Sequence, residues 1–477
     1  MIINLPHKLH LKPVLVLIGI ACLTQCKNPV PETREFDAVS RVDTGQPVSV
    51  MLTTYSTTLL ADGKNQTRLR IALTDSLSRE ITSVSDSISV FISGEGTLTT
   101  PEGKELVLID DTAGVRIAKS RLVNGTCILL FKAGNQPGKV RIEARSGKLW
   151  PGSHELHILP GDFALMTPSP DQLPATVKPI DQMIGADISF LPQIEDQGMK
   201  FFESGQEVDA IRLLASHGFN YIRLRIFVNP ENPKGYAPGR GYCGLGYTLK
   251  MAQRVKEAGM KLLLNFHYSD YWADPQQQNK PLAWENLDFE ILQDSVRTYT
   301  ADVLQALKQQ GTLPAMVQIG NEINHGLLWP DGHISRPDQL AGLLRAGVAG
   351  VEDVDPGLPV MMHIALGGQN DEAVFWLDNM IARGVRFDVI GISYYPRWHG
   401  TLEDLKYNLT DLQQRYHKPL NVVEYSDFKR EVHDIVFSLP DGFGTGACIW
   451  EPLNWRSGLF NRTGEATGLF SVYDELK

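Results

Sequence analysis

Two short apolar segments of the chain each end on a glutamate. Residues 318–322 read QIGNE, and residues 421–424, about a hundred positions further along, read NVVE. Such segments have the composition of buried parallel strands, whose last residues emerge at the edge where α/β barrels place their chemistry. Two carboxyl groups that face each other across a cleft can split a glycosidic bond, because one protonates the leaving oxygen while the other attacks the sugar or activates water. Glu322 and Glu424 are therefore candidate catalytic residues, and two unrelated strand-end glutamates are the simpler alternative.

Strands and helices alternate regularly around these two segments. The predicted strands are residues 184–189, 220–227, 261–268, 315–322, 359–365, 387–395, 420–425 and 446–451. The predicted helices between them are residues 207–217, 248–258, 289–309, 337–351, 371–383, 402–416 and 429–437. This alternation indicates a (β/α)8 barrel, or TIM barrel, over residues 181–477. A doubly wound open sheet is the alternative, and it is disfavoured because no glycine-rich phosphate-binding motif follows the first strand.

In such a barrel the carboxyl ends of all strands share one rim. Most of the predicted strands end there on a polar or aromatic side chain: Asp187, Arg225, His267, Asp270, Asn321, Glu322, His363, Tyr394, Tyr395, Glu424, Trp450 and Glu451. Six of the eight tryptophans also fall at strand ends or in the following loops: Trp272, Trp284, Trp329, Trp398, Trp450 and Trp455. Sugar rings offer apolar faces to aromatic rings and hydroxyls to polar side chains. The sequence therefore predicts a saccharide-binding cleft at this rim.

The first third of the chain has a different pattern. Short segments with alternating apolar and polar residues are separated by glycine-containing turns, and we predict strands at residues 48–54, 67–74, 87–93, 125–132 and 139–144. This pattern indicates an all-β immunoglobulin-like sandwich over residues 47–160, although the Cys–Trp–Cys signature of antibody domains is absent. The proline-rich residues 161–180 are predicted to link it to the barrel. Since no stripe of aromatic residues marks a carbohydrate-binding face, we expect the sandwich to act as a spacer.

The amino-terminal residues predict export. Within residues 1–26, two lysines precede an apolar stretch that is too short to span a membrane and is typical of a secretory signal. Residues 23–26, LTQC, resemble a bacterial lipobox with Cys26 as the lipidated residue, followed by a linker over residues 27–46. We expect a lipoprotein of the outer membrane or cell surface, and a periplasmic or secreted protein is the alternative. Any contact with a membrane would then be made only through this amino-terminal anchor.

Charge and cysteine content argue against several kinds of partner. The formal net charge of −10 disfavours nucleic acid and acidic polysaccharides, so that a neutral ligand fits better. Beyond the signal segment, Cys127, Cys243 and Cys448 are too widely spaced for a disulfide framework or a zinc site. We predict no metal and no cofactor.

Six segments of the barrel resemble the arabinogalactan endo-β-1,4-galactanases of glycoside hydrolase family 53. They are GADISF (185–190), RLRIFVNP (223–230), HYSDYWADP (267–275), QIGNEI (318–323), SYYPRWHG (393–400) and WEP (450–452). The resemblance implies a retaining enzyme that cleaves internal β-1,4-galactosidic bonds of pectic galactan and arabinogalactan. The segment at residues 61–75 is similar to bacterial immunoglobulin-like domains attached to secreted polysaccharide enzymes and adhesins.

The resemblance also implies roles for individual residues. Glu322 is expected to be the acid/base and Glu424 the nucleophile, about 5 to 5.5 Å apart. This chemistry requires a protonated Glu322, with its pKa raised by the charge of Glu424, and an ionised Glu424 beside Arg225 and a tyrosine hydroxyl. Asn321 is expected to bind the hydroxyl next to the anomeric carbon. The substrate-binding residues expected in all are Asp187, Arg225, His267, Asp270, Trp272, Asp274, Asn321, His363, Tyr394, Tyr395, Trp398, His399 and Trp450.

Residues 425–428 depart from the family pattern, and the loop that contains them is short. We predict no calcium site there, and we expect a monomer whose partner is a polysaccharide. Two alternatives remain open from the sequence: another barrel glycanase with the same glutamates, such as a β-mannanase, and a non-catalytic glycan-binding protein of the cell surface. The segments at 270–275 and 394–400 favour the galactanase. Five further histidines are assigned no role: His217, His325, His333, His417 and His433.

Overall fold

The computed structural model describes residues 45–110, 114–173 and 178–476. The predicted signal segment, the lipidation site Cys26 and nearly all of the first linker lie outside these residues. In the described part of the chain, the sandwich and the barrel belong to one compact unit. No helix in this part is both long and apolar enough to cross a membrane.

The amino-terminal domain is a sandwich of two β-sheets. Its strands are β1 (Ser49–Thr54), β2 (Thr58–Ala61), β3 (Gln66–Thr74), β4 (Ser87–Ser93), β5 (Gly96–Thr99), β6 (Ile109–Asp110), β7 (Arg116–Arg121), β8 (Thr126–Ala133), β9 (Gly138–Arg145) and β10 (Gly152–Pro160). One sheet has the order β1-β3-β8-β5 and the other β2-β10-β9-β4-β7-β6. Alternate residues such as Ile88, Val90 and Ile92 of β4 point into the core between the sheets, which confirms the predicted sandwich.

Five strands of the sandwich were not predicted: β2, β5, β6, β7 and β10. Strand β7 reads RIAKSR, and Ala118 is its only buried residue, so the sequence has no visible apolar alternation. Strand β10 contains histidines at positions 154 and 157 that are buried or partly buried against other parts of the protein. Pairing with neighbouring strands, rather than their own composition, stabilises these segments as strands.

The second domain is a closed barrel of eight parallel strands. They are β11 (Met183–Asp187), β14 (Tyr221–Ile226), β15 (Lys261–Phe266), β16 (Met316–Ile319), β19 (Val360–Ile364), β20 (Val389–Tyr394), β21 (Leu420–Tyr425) and β22 (Gly444–Trp450). Two short antiparallel ribbons lie in the loops, and they are formed by β12 (Phe201–Glu203) with β13 (Gln206–Val208) and β17 (Gly326–Leu327) with β18 (Gly332–His333). Strand β22 pairs with β11 and closes the ring, so the predicted barrel is confirmed and the open sheet is wrong.

Helices connect the strands and bury their apolar faces on the outside of the barrel. They are α1 (Leu191–Asp196), α2 (Ala210–Ser216), α3 (Leu245–Glu257), α4 (Phe289–Gln310), α5 (Pro337–Glu352), α6 (Asn370–Ala382), α7 (Pro396–His399), α8 (Leu402–Tyr416), α9 (Lys429–Phe437) and α10 (Ser471–Asp474). Local sequence marks several ends: Asp209 caps α2, Thr401 and Asp404 form a capping box on α8, and Gly311 ends α4 with a φ of 77°.

The interior of the barrel changes from apolar to polar along the strands. A floor of apolar side chains includes Tyr221, Leu263, Met316 and Met361. Because side chains alternate between the two faces of a strand, the next interior position lies two residues further along. Those positions hold Arg223, Asn265, Gln318 and His363, all of which are buried. The strands thus set a polar layer directly beneath the carboxyl-terminal rim.

The sandwich makes direct contacts with the barrel, which a simple spacer would not require. The Thr57 hydroxyl donates to Glu372 of α6, and the Ser78 hydroxyl donates to Asp427 in the loop after β21. The segment predicted as a linker also contacts the barrel, since the Met166 amide donates to the Asn379 side chain. The two domains are therefore joined by buried polar contacts as well as by the chain itself.

Candidate active site

The two candidate glutamates meet at the carboxyl-terminal rim of the barrel. Glu424 lies within β21, whereas β16 ends at Ile319 and the chain turns sharply before Glu322. Both Gly320 and Glu322 have a left-handed backbone, with φ values of 78° and 50°. This conformation is unfavourable for a residue with a side chain, and such strain is concentrated at functional sites. One oxygen of each carboxyl group and a ring nitrogen of His363 all lie within 4.8 Å of one another.

Glu322 has neutral hydrogen-bonding neighbours. Its Oε1 accepts a bond of 2.7 Å from the Ser393 hydroxyl, whose oxygen lies 2.8 Å from Nε2 of His363. Burial lowers the pKa of His363 well below its usual value, which favours a neutral imidazole ring. Burial also raises the pKa of Glu322 well above its usual value, and the charge of Glu424 adds to this effect. The expected direction is confirmed, but burial is the larger cause.

Glu424 has a cationic partner. Its Oε1 accepts a bond of 2.7 Å from Nη1 of Arg223, and its Oε2 accepts one of 3.2 Å from the Tyr395 hydroxyl. Burial raises the pKa of Glu424, whereas the charge and hydrogen bond of Arg223 oppose that rise. The ion pair with Arg223 favours the carboxylate form of Glu424, whereas the hydrogen-bond donor to the Glu322 carboxyl group is the neutral Ser393, so these neighbours favour a shared proton on Glu322. This asymmetry matches an acid paired with a nucleophile.

Arg223 organises the polar layer beneath the glutamates. Besides Glu424, it donates to Asp187 at 2.9 Å, to Gln318 at 3.2 Å and to Asn321 at 2.8 Å. Its side chain is 1% exposed, so each of these bonds replaces water that the guanidinium has lost. Sequence reasoning missed Arg223 because it collected only the ends of strands, although the two-residue period of β14 places Arg223 and Arg225 on the same face.

The expectation that Arg225 contacts Glu424 is wrong. Arg225 lies one layer closer to the rim, where its Nη1 donates to Glu451 at 2.7 Å. Its guanidinium lies 4.1 Å from the ring centres of both Phe190 and Trp272, stacked against two aromatic faces. Arg225 is 2% exposed, so it supports the rings that line the rim and does not itself reach a ligand.

Asn321 is held in a fixed orientation beside the catalytic pair. Its Oδ1 accepts from Arg223 and from Asn265 at 2.9 Å, and its Nδ2 donates to the Ala273 carbonyl at 2.9 Å. A side-chain amide has two N–H groups, and one is used in these contacts. The other has no acceptor among the described residues, and its expected bond to a sugar hydroxyl stays a prediction.

Partly exposed aromatic residues surround the glutamates. The rings of Trp272 and Trp450 lie 6.4 Å apart, and those of Tyr395 and Trp398 lie 5.9 Å apart. Because Tyr395 also touches Glu424, the second pair borders the catalytic centre. The remaining predicted tryptophans lie elsewhere: Trp284 packs on Tyr299, Trp455 on two arginines, and Trp329 on histidines at the sandwich.

Several predicted substrate-binding residues also shape the loops, and their contact with the substrate stays a prediction. Asp270 accepts from the backbone amides of Asn229 and Leu282, and Asp274 accepts from those of Gln276 and Gln277. Two histidines behave similarly, since His267 accepts from the Ala273 amide and His399 from the Tyr395 amide. Each of these four side chains is less than a tenth exposed. Their contacts hold the loops around the cleft in place.

Three further predictions of direct substrate contact are corrected by burial. Tyr394 and His363 are fully buried, and Asp187 is 1% exposed. Tyr394 donates to the Gly400 carbonyl because it lies on the opposite face of β20 from Ser393, while its neighbour Tyr395 turns toward Glu424. His363 and Asp187 act through other residues, on Ser393 and Arg223 respectively.

The two glutamates and His363 are also the residues whose spacing could hold a metal ion within the described part of the chain. Both nitrogens of His363 already have hydrogen-bonding neighbours, namely Ser393 at one nitrogen and Gln318 and Asn321 at the other. The carboxyl groups are likewise bonded to Ser393 and Arg223. The absence of a metal cofactor stays a prediction.

A closed (β/α)8 barrel with a buried pair of glutamates at its carboxyl-terminal rim defines the protein as a glycoside hydrolase of the barrel class. The model of the family described as glycosyl hydrolase family 53 matches residues 183–442, and the chain belongs to this family. A second model, described as glycoside hydrolase family 2 C-terminal domain 5, matches residues 50–155 in the sandwich.

Known proteins resemble the barrel over most of their own length. The chain is 40% identical over 333 residues to an uncharacterised protein of Niallia circulans, covering 60% of this chain and 89% of that protein. It is 36% identical over 301 residues to the arabinogalactan endo-β-1,4-galactanase A of Emericella nidulans, covering 56% and 84%. The solved GH53 catalytic domain of Ignisphaera aggregans has 32% identity and a TM-score of 0.58, covering 65% of this chain and 99% of that domain.

Proposed function

We propose that this glycoside hydrolase cleaves internal β-1,4-galactosidic bonds of pectic galactan and arabinogalactan with retention of configuration. The substrate follows from family membership and from relatives named as arabinogalactan endo-β-1,4-galactanases. A β-mannanase and a non-catalytic binding protein are not favoured, because the matched family and its named relatives are galactanases.

The observation that carries the mechanism is the closeness of the two carboxyl groups. Oxygens of Glu322 and Glu424 lie within 4.8 Å. Retaining glycosidases hold their carboxyl groups about 5 to 5.5 Å apart, whereas inverting enzymes need about 6.5 to 9.5 Å to admit a water between them. The closeness of these oxygens supports a retaining reaction, in which Glu424 attacks the anomeric carbon and the leaving oxygen takes the proton of Glu322.

The neighbours of each carboxyl group suit the two steps. In the first step, Arg223 keeps Glu424 available as a carboxylate while burial keeps Glu322 protonated. Once Glu424 is bonded to the sugar, its negative charge is gone, so one of the causes that raise the pKa of Glu322 is removed. Glu322, having given up its proton, can then take one from the water that releases the product.

A panel of polysaccharides tests this function. The purified protein is incubated with galactan, mannan, xylan and cellulose, and the released oligosaccharides are analysed over time. We expect galactan alone to be cut, with early products of mixed length because the cleavage is internal. Release from mannan but not from galactan would contradict the substrate, and release of galactose alone would contradict endo action.

From the sequence we further propose that the protein is exported and carries a lipid on Cys26, with the enzyme acting as a monomer. Support comes from the apolar stretch and lipobox-like residues 23–26. Growth with a labelled fatty acid is expected to label the protein, and Cys26→Ser is expected to remove the label. Equal labelling of that variant would contradict the assignment.

A further inference from the structure

A turn of the sandwich places a threonine against helix α6 of the barrel and against His325, which lies in the segment after Glu322. Thr57 lies between β1 and β2, and it is 7% exposed. Its hydroxyl lies 2.7 Å from Oε2 of Glu372 and 3.0 Å from Nε2 of His325, and its amide also donates to Glu372. Thr58 adds a hydroxyl bond of 2.8 Å to the same carboxylate. One barrel carboxylate is thus bonded by two consecutive residues of the sandwich.

These contacts fix a charged group in a buried position. Glu372 is 1% exposed, and burial alone would raise its pKa. Hydrogen bonds from His325 and from Thr57 nevertheless lower the pKa of Glu372 to about 2. A buried carboxylate without such partners is costly, so the sandwich supplies what the Glu372 position requires.

The same contacts reach the segment that begins at Glu322. His325 is the last residue of the short 3-10 helix Ile323–His325, which starts directly after Glu322. On its other side, Nδ1 of His325 lies 2.9 Å from the Pro275 carbonyl. Helix α6, which carries Glu372, also donates from Trp376 Nε1 to the Ile323 carbonyl at 2.9 Å. The short helix is therefore held from the loop after β15, from α6 and from the sandwich.

This support matters because the backbone of Glu322 is strained. A left-handed glutamate persists only when its surroundings over-determine it. The carboxyl group itself has one short side-chain bond, to Ser393. The direction in which the carboxyl group of Glu322 points therefore depends on the position of the short helix that follows this residue.

We propose that Thr57 is a positioning residue for the acid/base Glu322, acting through His325 and Glu372, so that the sandwich is a functional part of the catalytic unit. This inference rests on the proposed function. The hydroxyl of Thr57 would keep the short helix in the register in which Glu322 points its proton at the leaving oxygen. Loss of that hydroxyl would then weaken proton transfer more than it weakens binding or nucleophilic attack.

Substrates with leaving groups of different acidity distinguish a loss of proton transfer from a loss of binding or of nucleophilic attack. Thr57→Val removes the hydroxyl and keeps the shape, and the variant is assayed on phenyl and dinitrophenyl β-1,4-galactobiosides and on galactan. A dinitrophenolate departs without a proton, whereas phenolate and sugar leaving groups need one. We expect kcat/KM, which reports the steps up to loss of the leaving group, to fall about fivefold to tenfold on galactan and on the phenyl substrate, with less than a twofold change on the dinitrophenyl substrate.

Two variants provide matched controls. Thr57→Ser keeps a hydroxyl and is expected to restore kcat/KM on the phenyl substrate. Thr54→Val removes another buried threonine hydroxyl of the same region, one that has no hydrogen-bond partner among the described residues, and is expected to leave all three rates unchanged. Should Thr57→Val fail to fold, His325→Asn tests the same link from the barrel side, because it loses the bond to Thr57 and can keep the one to Pro275.

An equal fall of kcat/KM on both aryl substrates, or no fall beyond that of Thr54→Val, would overturn the positioning role. Failure of the underlying function is distinguishable, because the unaltered protein would then hydrolyse neither galactan nor the aryl galactobiosides. Hydrolysis by the unaltered protein together with equal behaviour of the Thr57 and Thr54 variants would reject this inference alone.

Discussion

The two sides of the catalytic centre are built differently. On the side of Glu424, the glutamate lies within strand β21, and Arg223 supplies a full positive charge at 2.7 Å. On the side of Glu322, the strand has already ended, the backbone is left-handed, and the nearest side-chain partner is the neutral Ser393. Two residues of the same type thereby acquire different proton affinities from their neighbours. Side chains of the barrel hold the carboxyl group of the first glutamate, whereas we infer that the position of the second also depends on contacts with the sandwich.

Removal of the nucleophile is expected to have the largest effect. Glu424→Gln keeps the size of the side chain but cannot attack the anomeric carbon, so we expect galactan turnover to fall by about 10⁴-fold or more. The loss should be similar for the dinitrophenyl galactobioside, because both substrates need the attack. Circular dichroism checks that the variant is folded. Substantial residual turnover by the folded variant would mean that another group is the nucleophile.

Removal of the acid is expected to have a large but selective effect. Glu322→Gln cannot donate a proton, so hydrolysis of galactan should fall by about 10²- to 10⁴-fold. The first step on the dinitrophenyl galactobioside should be nearly unchanged, which a pre-steady-state burst of dinitrophenolate would reveal. An equal loss on both substrates would erase the proposed difference between the two sides of the centre.

A smaller effect is expected from the hydroxyl that contacts the acid. Ser393 donates to the carboxylate form of Glu322 and therefore lowers its pKa, against the larger effect of burial. Ser393→Ala should raise that pKa further, so the protonated form persists to higher pH. We expect the alkaline limb of the kcat/KM profile to move to higher pH, with about a fivefold loss at the optimum. Movement of that limb to lower pH would contradict the expectation that the hydrogen bond from Ser393 lowers the pKa of Glu322.

The stability of the contact between His157 of the sandwich and His333 of the barrel should depend on pH. Burial lowers the pKa of His157 to about 3 and that of His333 to about 4, and the two rings lie 5.5 Å apart. Groups with a depressed pKa contribute stability that is present above their unfolded pKa of about 6.5 and is lost as the pH falls toward the folded value. The unfolding temperature should therefore drop by about 5 °C between pH 6.5 and pH 4. His157→Gln should flatten this dependence, and an unchanged slope would place the titrating groups elsewhere.

Much of this architecture follows from local sequence. The alternation of apolar strands with helices predicted the barrel, and the spacing of QIGNE and NVVE predicted the pair of glutamates. It was harder to predict which of two nearby residues of the same type contacts Glu424. Arg223 rather than Arg225 donates to Glu424, and Tyr395 rather than Tyr394 does so. Those outcomes depend on the height and face of each position in the closed barrel, which the sequence does not specify.

Contacts between distant parts of the chain were beyond local reasoning. Nothing around Thr57 marks it as a partner for Glu372, since the two residues are 315 positions apart. His325 was assigned no role, although it joins that pair to the segment after Glu322. A buried histidine, threonine and glutamate have meaning as a group only after folding brings them together.

Covalent trapping tests the central claim, that Glu424 attacks the sugar while Glu322 supplies the proton. A 2-deoxy-2-fluoro-β-galactobioside with a dinitrophenyl leaving group should form the glycosyl enzyme quickly and release it slowly, because the fluorine destabilises the charge that develops at the anomeric carbon. Digestion and mass spectrometry should then place the added sugar on the peptide that contains Glu424, and on that residue. Attachment to Glu322, or no attachment together with products of inverted configuration, would contradict the account.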